Sequence, residues 1–319
     1  MKISITGANG FIGRKLVGAL SRKNHAISVL SRHSNLKLPA GVRVVKGDLT
    51  SIHCPLDHLL EGCEVVFHCA GDAHNDATMR PLHVDGTQRL LDAVYKEACQ
   101  RKRVIHWIQL SSVGIYGPLY RAADSDRIVT EDTPARPLGE YEITKTLSDE
   151  LVIQAGKSGL MTYSILRPSN VFGAEMPNQS LRSLGAMVRR GLFFYVGRPG
   201  ALATYVHVDD VIEALLRCGT DHRAKGKVFN ISNDCFLEEM VDGIASALGV
   251  ARPWLRLPES PVRIATHVIS KFTRIPLTQE RINALVSRTR YPCLKLEQEL
   301  GFSPRISVPE TIGEVVLAQ

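Results

Sequence analysis

The chain has 319 residues, enough for one large domain or two closely joined lobes, and its 44% hydrophobic and 22% charged content suits an ordinary folded protein. Its 39 basic and 32 acidic residues leave a net charge of +7, yet apart from RKR at 101–103 the cations are dispersed, which argues against nucleic acid and for an anionic small molecule. No apolar run reaches the roughly 18 residues of a spanning helix, the N-terminal MKISITG leaves no room for a signal peptide, and the seven scattered cysteines form no CxxC pair, so we expect a cytoplasmic protein without membrane, disulfide or metal chemistry.

Strand-like apolar runs recur at 2–6, 26–31, 42–47, 64–71, 104–112 and 163–169, with helix patterns at 11–23, 55–61, 80–99 and 140–158 between them. Strands alternating with helices predict an α/β fold with a doubly wound parallel sheet. Beyond 172 the pattern loosens into a helix near 180–190, a strand near 203–208, a helix at 209–217 and a strand at 228–232. YVGRPG (195–200) and ARPWLRLPESP (251–261) read as loops, and VRIATHVISKF (262–272) as a packed helix rather than a membrane-surface one. We therefore expect a nucleotide-binding lobe over 1–172, joined by 203–232, and a smaller discontinuous α/β lobe from 173–202 and 233–319.

TGANGFIG (6–13) joins the first strand to the first helix, with Gly7, Gly10 and Gly13 spaced three apart. Bare glycines let backbone N–H groups approach a pyrophosphate at the helix N-terminus, and the strand–turn–helix context gives the motif its weight. Asn9, Phe11 and Ile12 belong to the same candidate cofactor loop. About twenty residues on, a site for NAD usually has an acid; SVLSRHS (28–34) offers Ser31, Arg32 and His33 instead. A guanidinium and a hydroxyl suit a 2′-phosphate, so NADP(H) is preferred and NAD(H) stays open. Asp48, in KGDLT, is placed to accept from an adenine amino group, with Leu49 beside it, and Ala70 and Gly71 end FHCAG where backbone can pass close to a ribose.

YEITK (141–145) sets Tyr141 and Lys145 at i and i+4 on one helix face. An ammonium there would lower the phenol from its ordinary value near 10 and reach the cofactor ribose, leaving Tyr141 to exchange a proton with substrate. LSSVGIYG (110–117) places Ser111 and Ser112 at a strand end, where open α/β sheets bind ligands.

TGANGFIG, GDLT, FHCAG, VDGT (84–87), LSSVGIYG, YEITK, LRPSNVFG (166–173) and YVHVDD (205–210) stand in the order and spacing of the extended short-chain dehydrogenase/reductases, and the chain resembles their nucleotide-sugar epimerase/dehydratase/reductase branch. The resemblance implies a Rossmann lobe, a nicotinamide cofactor and a homodimer packed through the helices near 80–99 and 140–158. It also implies a catalytic trio of Ser112, Tyr141 and Lys145, a substrate contact at Asn170 with Ser112, and a cofactor contact at Pro168.

Three departures narrow the reaction. Where similar dehydratases carry an Asp-Glu pair, this chain has Val113 and Gly114, which cannot serve acid–base elimination. Asp85 is read as standing where the resemblance implies an asparagine. Ala203 occupies a position where related UDP-sugar epimerases often carry a diphosphate-gripping arginine, leaving Arg182, Arg189 or Arg288 as substitutes. The favoured function is 4-keto reduction of a nucleotide-linked sugar by hydride transfer. A 4-epimerase with tightly held NAD, or a reductase of an apolar ketone of hydroxysteroid or flavonol type, are the alternatives.

Overall fold

The structure, a computed structural model, describes residues 1–33, 36–118, 126–177, 179–269 and 277–318. Among them, seven apolar segments form one parallel sheet: β1 (Lys2–Thr6), β2 (Ala26–Ser31), β3 (Arg43–Lys46), β4 (Val65–His68), β5 (Ile105–Leu110), β6 (Met161–Pro168) and β7 (Lys227–Ile231). Their order is β7-β6-β5-β4-β1-β2-β3. These strands read as nearly unbroken apolar runs because both faces are covered. Val66, Trp107 and Ile165 turn to one face, against Leu90, Leu91 and Val94. Their neighbours Phe67, Ile108 and Leu166 turn to the other, against Leu16, Val17 and Val211.

The eight longer helices described are α1 (Phe11–Ser21), α2 (Gly86–Arg101), α3 (Glu140–Gly156), α4 (Ser180–Arg189), α5 (Val208–Thr220), α6 (Leu237–Leu248), α7 (Glu259–Ile269) and α8 (Gln279–Val286). The chain leaves β1 towards β2 and β3, then crosses back to β4 on the other side of β1. That reversal opens a crevice beyond the carboxyl ends of β1 and β4, the usual ligand position in this architecture. This is the Rossmann-type α/β fold.

A second hydrophobic cluster joins Leu181 and Val188 of α4, Val241 and Ile244 of α6, and Ile312 and Val315 near the C-terminus, with Phe172 and Tyr195. The strand expected near 203–208 divides in two. Leu202–Ala203 pairs antiparallel with Cys235–Phe236, and Tyr205–His207 pairs parallel with Asn170–Phe172. Between them the Thr204 carbonyl accepts both the backbone N–H and the side-chain amide of Asn170, at 3.2 and 3.0 Å.

The two stretches read as loops also differ. Tyr195–Val196 and Arg256–Leu257 pair in parallel across about sixty residues, and α7 begins inside the second stretch at Glu259. Two-residue strands are too short for periodicity to reveal. Val262 of α7 packs with Val196, Ile282 and Val286, while Ile264, Val268 and Ile269 are exposed. Positions 270–272 of that expected helix lie outside the described residues. No described helix is long and apolar enough to cross a membrane.

Candidate active site

The turn from β1 into α1 is built by the absence of side chains. Gly7 has φ +73°, and a Cβ there would lie 2.5 Å from the Cys69 backbone; at Gly13 it would lie 2.1 Å from the Gly7 carbonyl oxygen. Glycine alone fits both positions. Gly10 opens α1 without any side-chain cap, so the first-turn N–H groups stay available to an anion. Above them lies a cavity of about 540 Å³, lined by Gly7, Asn9, Gly10, Ser31, Arg32, His33, Asp48, Leu49, Ala70 and Gly71 among others. Its size, bare floor and cationic far end fit a dinucleotide. The Ser31 hydroxyl accepts the His33 N–H at 3.0 Å, closing the turn that presents Arg32. Asp48 accepts from the backbone and hydroxyl of Thr50 at 2.9 and 2.8 Å; these bonds hold its carboxyl below the usual range, with Arg32 adding a smaller pull.

A second cavity of about 370 Å³ adjoins the first through Cys69, Gly71 and Asp72. Ile12, Ser112, Tyr141, Lys145, Pro168 and Asn170 line it. The expected residues therefore converge, with two exceptions. Phe11 packs between the two hydrophobic clusters, and Gly13 is buried beneath the loop; neither lines either cavity.

Ser112 accepts the Gly114 N–H at 3.0 Å, which fixes its hydroxyl at the head of the turn Val113–Tyr116, and it faces the Tyr141 phenol. Burial pushes Tyr141 up to about 12, against a downward pull from Ser112. The spacing of YEITK suggests that Lys145 lowers this phenol; the phenol is instead pushed up by burial, with Glu142 and Asp149 adding to the rise and Ser112 pulling down. Lys145 is 6% exposed and donates to the Leu110 carbonyl at 2.9 Å. Burial pushes it down, with Asp149 opposing.

Asp85 is exposed and lies away from this cleft. Counting N-x-x-G-T back from Gly86-Thr87 gives His83, and His83 is the residue that arrives. It sits in a π-helical turn, Pro81–Asp85, of a kind often found at functional sites. Its Nε2 accepts the Asp72 N–H at 2.9 Å. Its Nδ1 meets the Thr144 hydroxyl at 2.8 Å, and that hydroxyl already donates to the Glu140 carbonyl at 2.7 Å. His83 is therefore the neutral Nδ1–H form, held near 3 mainly by burial. Deeper still, His68 bridges Thr6 at 2.6 Å and Thr87 at 3.0 Å, and burial keeps it neutral as well. Sequence reasoning misses Cys69, Asp72 and His83; the HCAGD stretch and the correct count from Gly86 are the signals that point to them.

A third cavity, of about 410 Å³, adjoins the cleft of Ser112, Tyr141 and Lys145 through Asn170, Ser180 and Tyr205. Its wall includes Leu184, Met187, Phe193, Phe194, Leu202, Ala203, Leu237, Met240 and Leu285. Among the described residues its lining carries one charged side chain, Arg281. None of the three arginines considered as diphosphate partners lines it. Arg182 donates to the carbonyls of Met176 and Ala174, both at 2.9 Å. Arg288 bonds the Pro199 carbonyl and pairs with Asp126 at 3.6 Å, and Arg189 is exposed at the end of α4. Val113 is 7% exposed, and Gly114 faces the stem of Glu142.

Fold and site together define a nicotinamide-nucleotide-binding enzyme of the short-chain dehydrogenase/reductase type. Residues 3–232 match the NAD dependent epimerase/dehydratase family, and the chain belongs to that family. The sterol-4-alpha-carboxylate 3-dehydrogenase (decarboxylating) of Mus musculus is 25% identical, covering 99% of this chain and 90% of its own. UDP-glucuronic acid 4-epimerase from Bacillus cereus, solved with NAD, superposes with a TM-score of 0.76 at 19% identity, over 100% of this chain and 98% of that one. RMD from Pseudomonas aeruginosa, solved with NADPH, gives 0.70 at 20% identity, over 99% and 98%.

Proposed function

We propose that this protein is an NAD(P)-dependent oxidoreductase that interconverts a secondary alcohol and a ketone, with Tyr141 as acid/base. The observation that carries the reading is the convergence of Ser112, Tyr141 and Lys145 on one cleft between the glycine-loop cavity and the apolar cavity. When bound, the cofactor gives or takes the hydride at the substrate carbon. In reduction, Tyr141 gives its phenolic proton to the carbonyl oxygen and is reprotonated from solvent; in oxidation the proton moves the other way. Ser112 holds the reacting oxygen beside the phenol. Lys145 offers an ammonium to the ribose hydroxyls and to the charge that develops on Tyr141.

Arg32, with Ser31 and His33 at the cavity mouth, supports NADP(H) as the preferred cofactor. For the substrate, the apolar cavity supports a ketone with an apolar body. Arg281 on the same wall favours the second reading, 4-keto reduction of a nucleotide-linked sugar, because a guanidinium can grip a diphosphate. The lobe from 173–202 and 233–319 provides most of the cavity wall in either case, with Asn170 and 203–205 closing it, and a homodimer through α2 and α3 completes the proposal.

The test is NADPH oxidation measured against two panels, UDP-4-keto sugars and 3-oxo compounds with steroid or long alkyl bodies. Turnover restricted to the sugars overturns the apolar reading, and no turnover with either overturns both. Tightly held NAD in the purified protein would point instead to 4-epimerisation. Sedimentation at micromolar concentration checks the dimer.

A further inference from the structure

Beneath the catalytic pair, α3 carries a third ionisable group on the same stripe. Tyr141, Lys145 and Asp149 stand at i, i+4 and i+8. Asp149 is 2% exposed, and its hydrogen bonding is lopsided. One carboxylate oxygen, Oδ2, accepts from the Ser111 hydroxyl at 2.8 Å and from Arg167 Nε at 3.1 Å, with the Arg167 terminal nitrogen also at 3.1 Å. The other, Oδ1, is buried with no hydrogen-bond partner. Arg167 on β6 also donates to the Tyr116 hydroxyl at 2.9 Å, which donates to Asn230 Oδ1 on β7 at 2.9 Å.

A buried ion pair is weak evidence for stability, because desolvation offsets most of the attraction. A carboxylate oxygen buried without a partner adds further cost and calls for a reason. The surroundings of Lys145 supply one. From β4 it faces His68, from the residue just beyond that strand Cys69, and from the π-turn His83. Burial pushes the Cys69 thiol up to about 12 and holds both histidines near 3, so all three are uncharged at neutral pH. Glu142 and Ser112 face Tyr141 rather than Lys145. Asp149 is therefore the anion that acts on the buried ammonium. Burial pushes the Asp149 carboxyl up; the Arg167 guanidinium, the Ser111 hydroxyl and Lys145 itself oppose that.

We propose that Asp149 is a positioning residue whose charge, held by Arg167 and Ser111, keeps Lys145 in its ammonium form beneath Tyr141. The inference uses the assignment of Tyr141 and Lys145 made above but can be tested without activity. Ser111, with no part in the chemistry, thereby ties the end of β5, where Ser112 follows, to the charge under Lys145.

Removing an anion disfavours both the ammonium and the phenol relative to their deprotonated forms, so both titrations move to lower pH. The experiment follows the lysine side-chain ¹³Cε signals of the full-length protein by NMR across pH, with Lys145→Arg identifying the Lys145 signal. In Asp149→Asn that signal should titrate about one pH unit lower than in the wild type, and Asp149→Glu should restore it. Because Asp149→Asn strands the Arg167 guanidinium, Asp149→Asn/Arg167→Gln is the folded control. Its Lys145 signal should shift in the same direction, since Arg167 acts on Asp149 rather than on Lys145. An unmoved Lys145 titration in both variants overturns the proposal, whatever the enzyme turns over. If the titration moves but no substrate is turned over, the electrostatic role stands and the oxidoreductase reading fails. Where activity is found, the pH profile of hydride transfer in Asp149→Asn should move acidward as a whole; a loss of amplitude without displacement would mean a merely structural role.

Discussion

Tyr141 is buried enough that its phenol sits near 12, so the proposed proton transfer at neutral pH would rely on the polar groups that surround it. Tyr141→Phe removes the proton and keeps the ring. It should lower kcat by about 10²- to 10⁴-fold while leaving NADPH binding, followed by cofactor fluorescence, nearly unchanged. Arg32 offers a cleaner separation of cofactor from chemistry. A charge-assisted hydrogen bond is worth roughly 1.5–3 kcal/mol, so Arg32→Ala should weaken NADPH binding at least about tenfold and leave NADH binding within about twofold. Equal loss for both cofactors in calorimetry would remove the 2′-phosphate from the reading. His83 shows how a residue can be misplaced by counting. The motif is legible in the sequence, but the asparagine position falls at His83, whose buried ring packs edge-on against Tyr141 and accepts the Asp72 N–H, and not at the exposed Asp85 two residues later.

The element that determines the glycine-loop cavity is the β1–α1 turn. Its glycines carry different burdens, which makes them separable by experiment. A methyl at Gly13 would fall 2.1 Å from a backbone oxygen that cannot move away cheaply. Gly13→Ala should therefore displace the loop, lowering stability by about 1–3 kcal/mol and weakening cofactor binding with it. Gly18 lies further along the same helix, where an added methyl would meet nothing within 4 Å. Gly18→Ala should raise stability by about 0.5–1 kcal/mol, read from thermal or urea unfolding, with binding unaffected. The opposite ranking of these two would show that the loop is not held as described. Strand and helix positions were legible here because burial on both sheet faces and glycine punctuation act within a few residues. The pairing of Tyr195–Val196 with Arg256–Leu257 was not, since each strand is two residues long and its partner is remote in sequence.

At the scale of the molecule, the buried histidines couple folding to pH. His68 and His83 are neutral in the folded protein and sit near 3, against about 6.5 for an exposed imidazole. An unfolded chain takes up those protons more readily, so the stability they allow is complete above about pH 6.5 and is lost as pH falls towards 3. Each contributes a slope of up to about 1.4 kcal/mol per pH unit in that window. Urea unfolding at pH 7 and pH 5 should show the loss, and His68→Gln should flatten it; an equally steep dependence in that variant would assign the loss to other groups. Taken alone, the sequence determined the family, the α/β class and the glycine loop, and it marked Ser112, Tyr141 and Lys145 as candidates, because each rests on local spacing that survives without knowledge of the partner. Only the tertiary structure decided what surrounds them: the apolar cavity, the arginines tied to other groups, the neutral histidines and the buried Asp149–Arg167 pair. Those properties depend on which remote segments exclude water from a given side chain, and burial of that kind is set by packing across the whole chain.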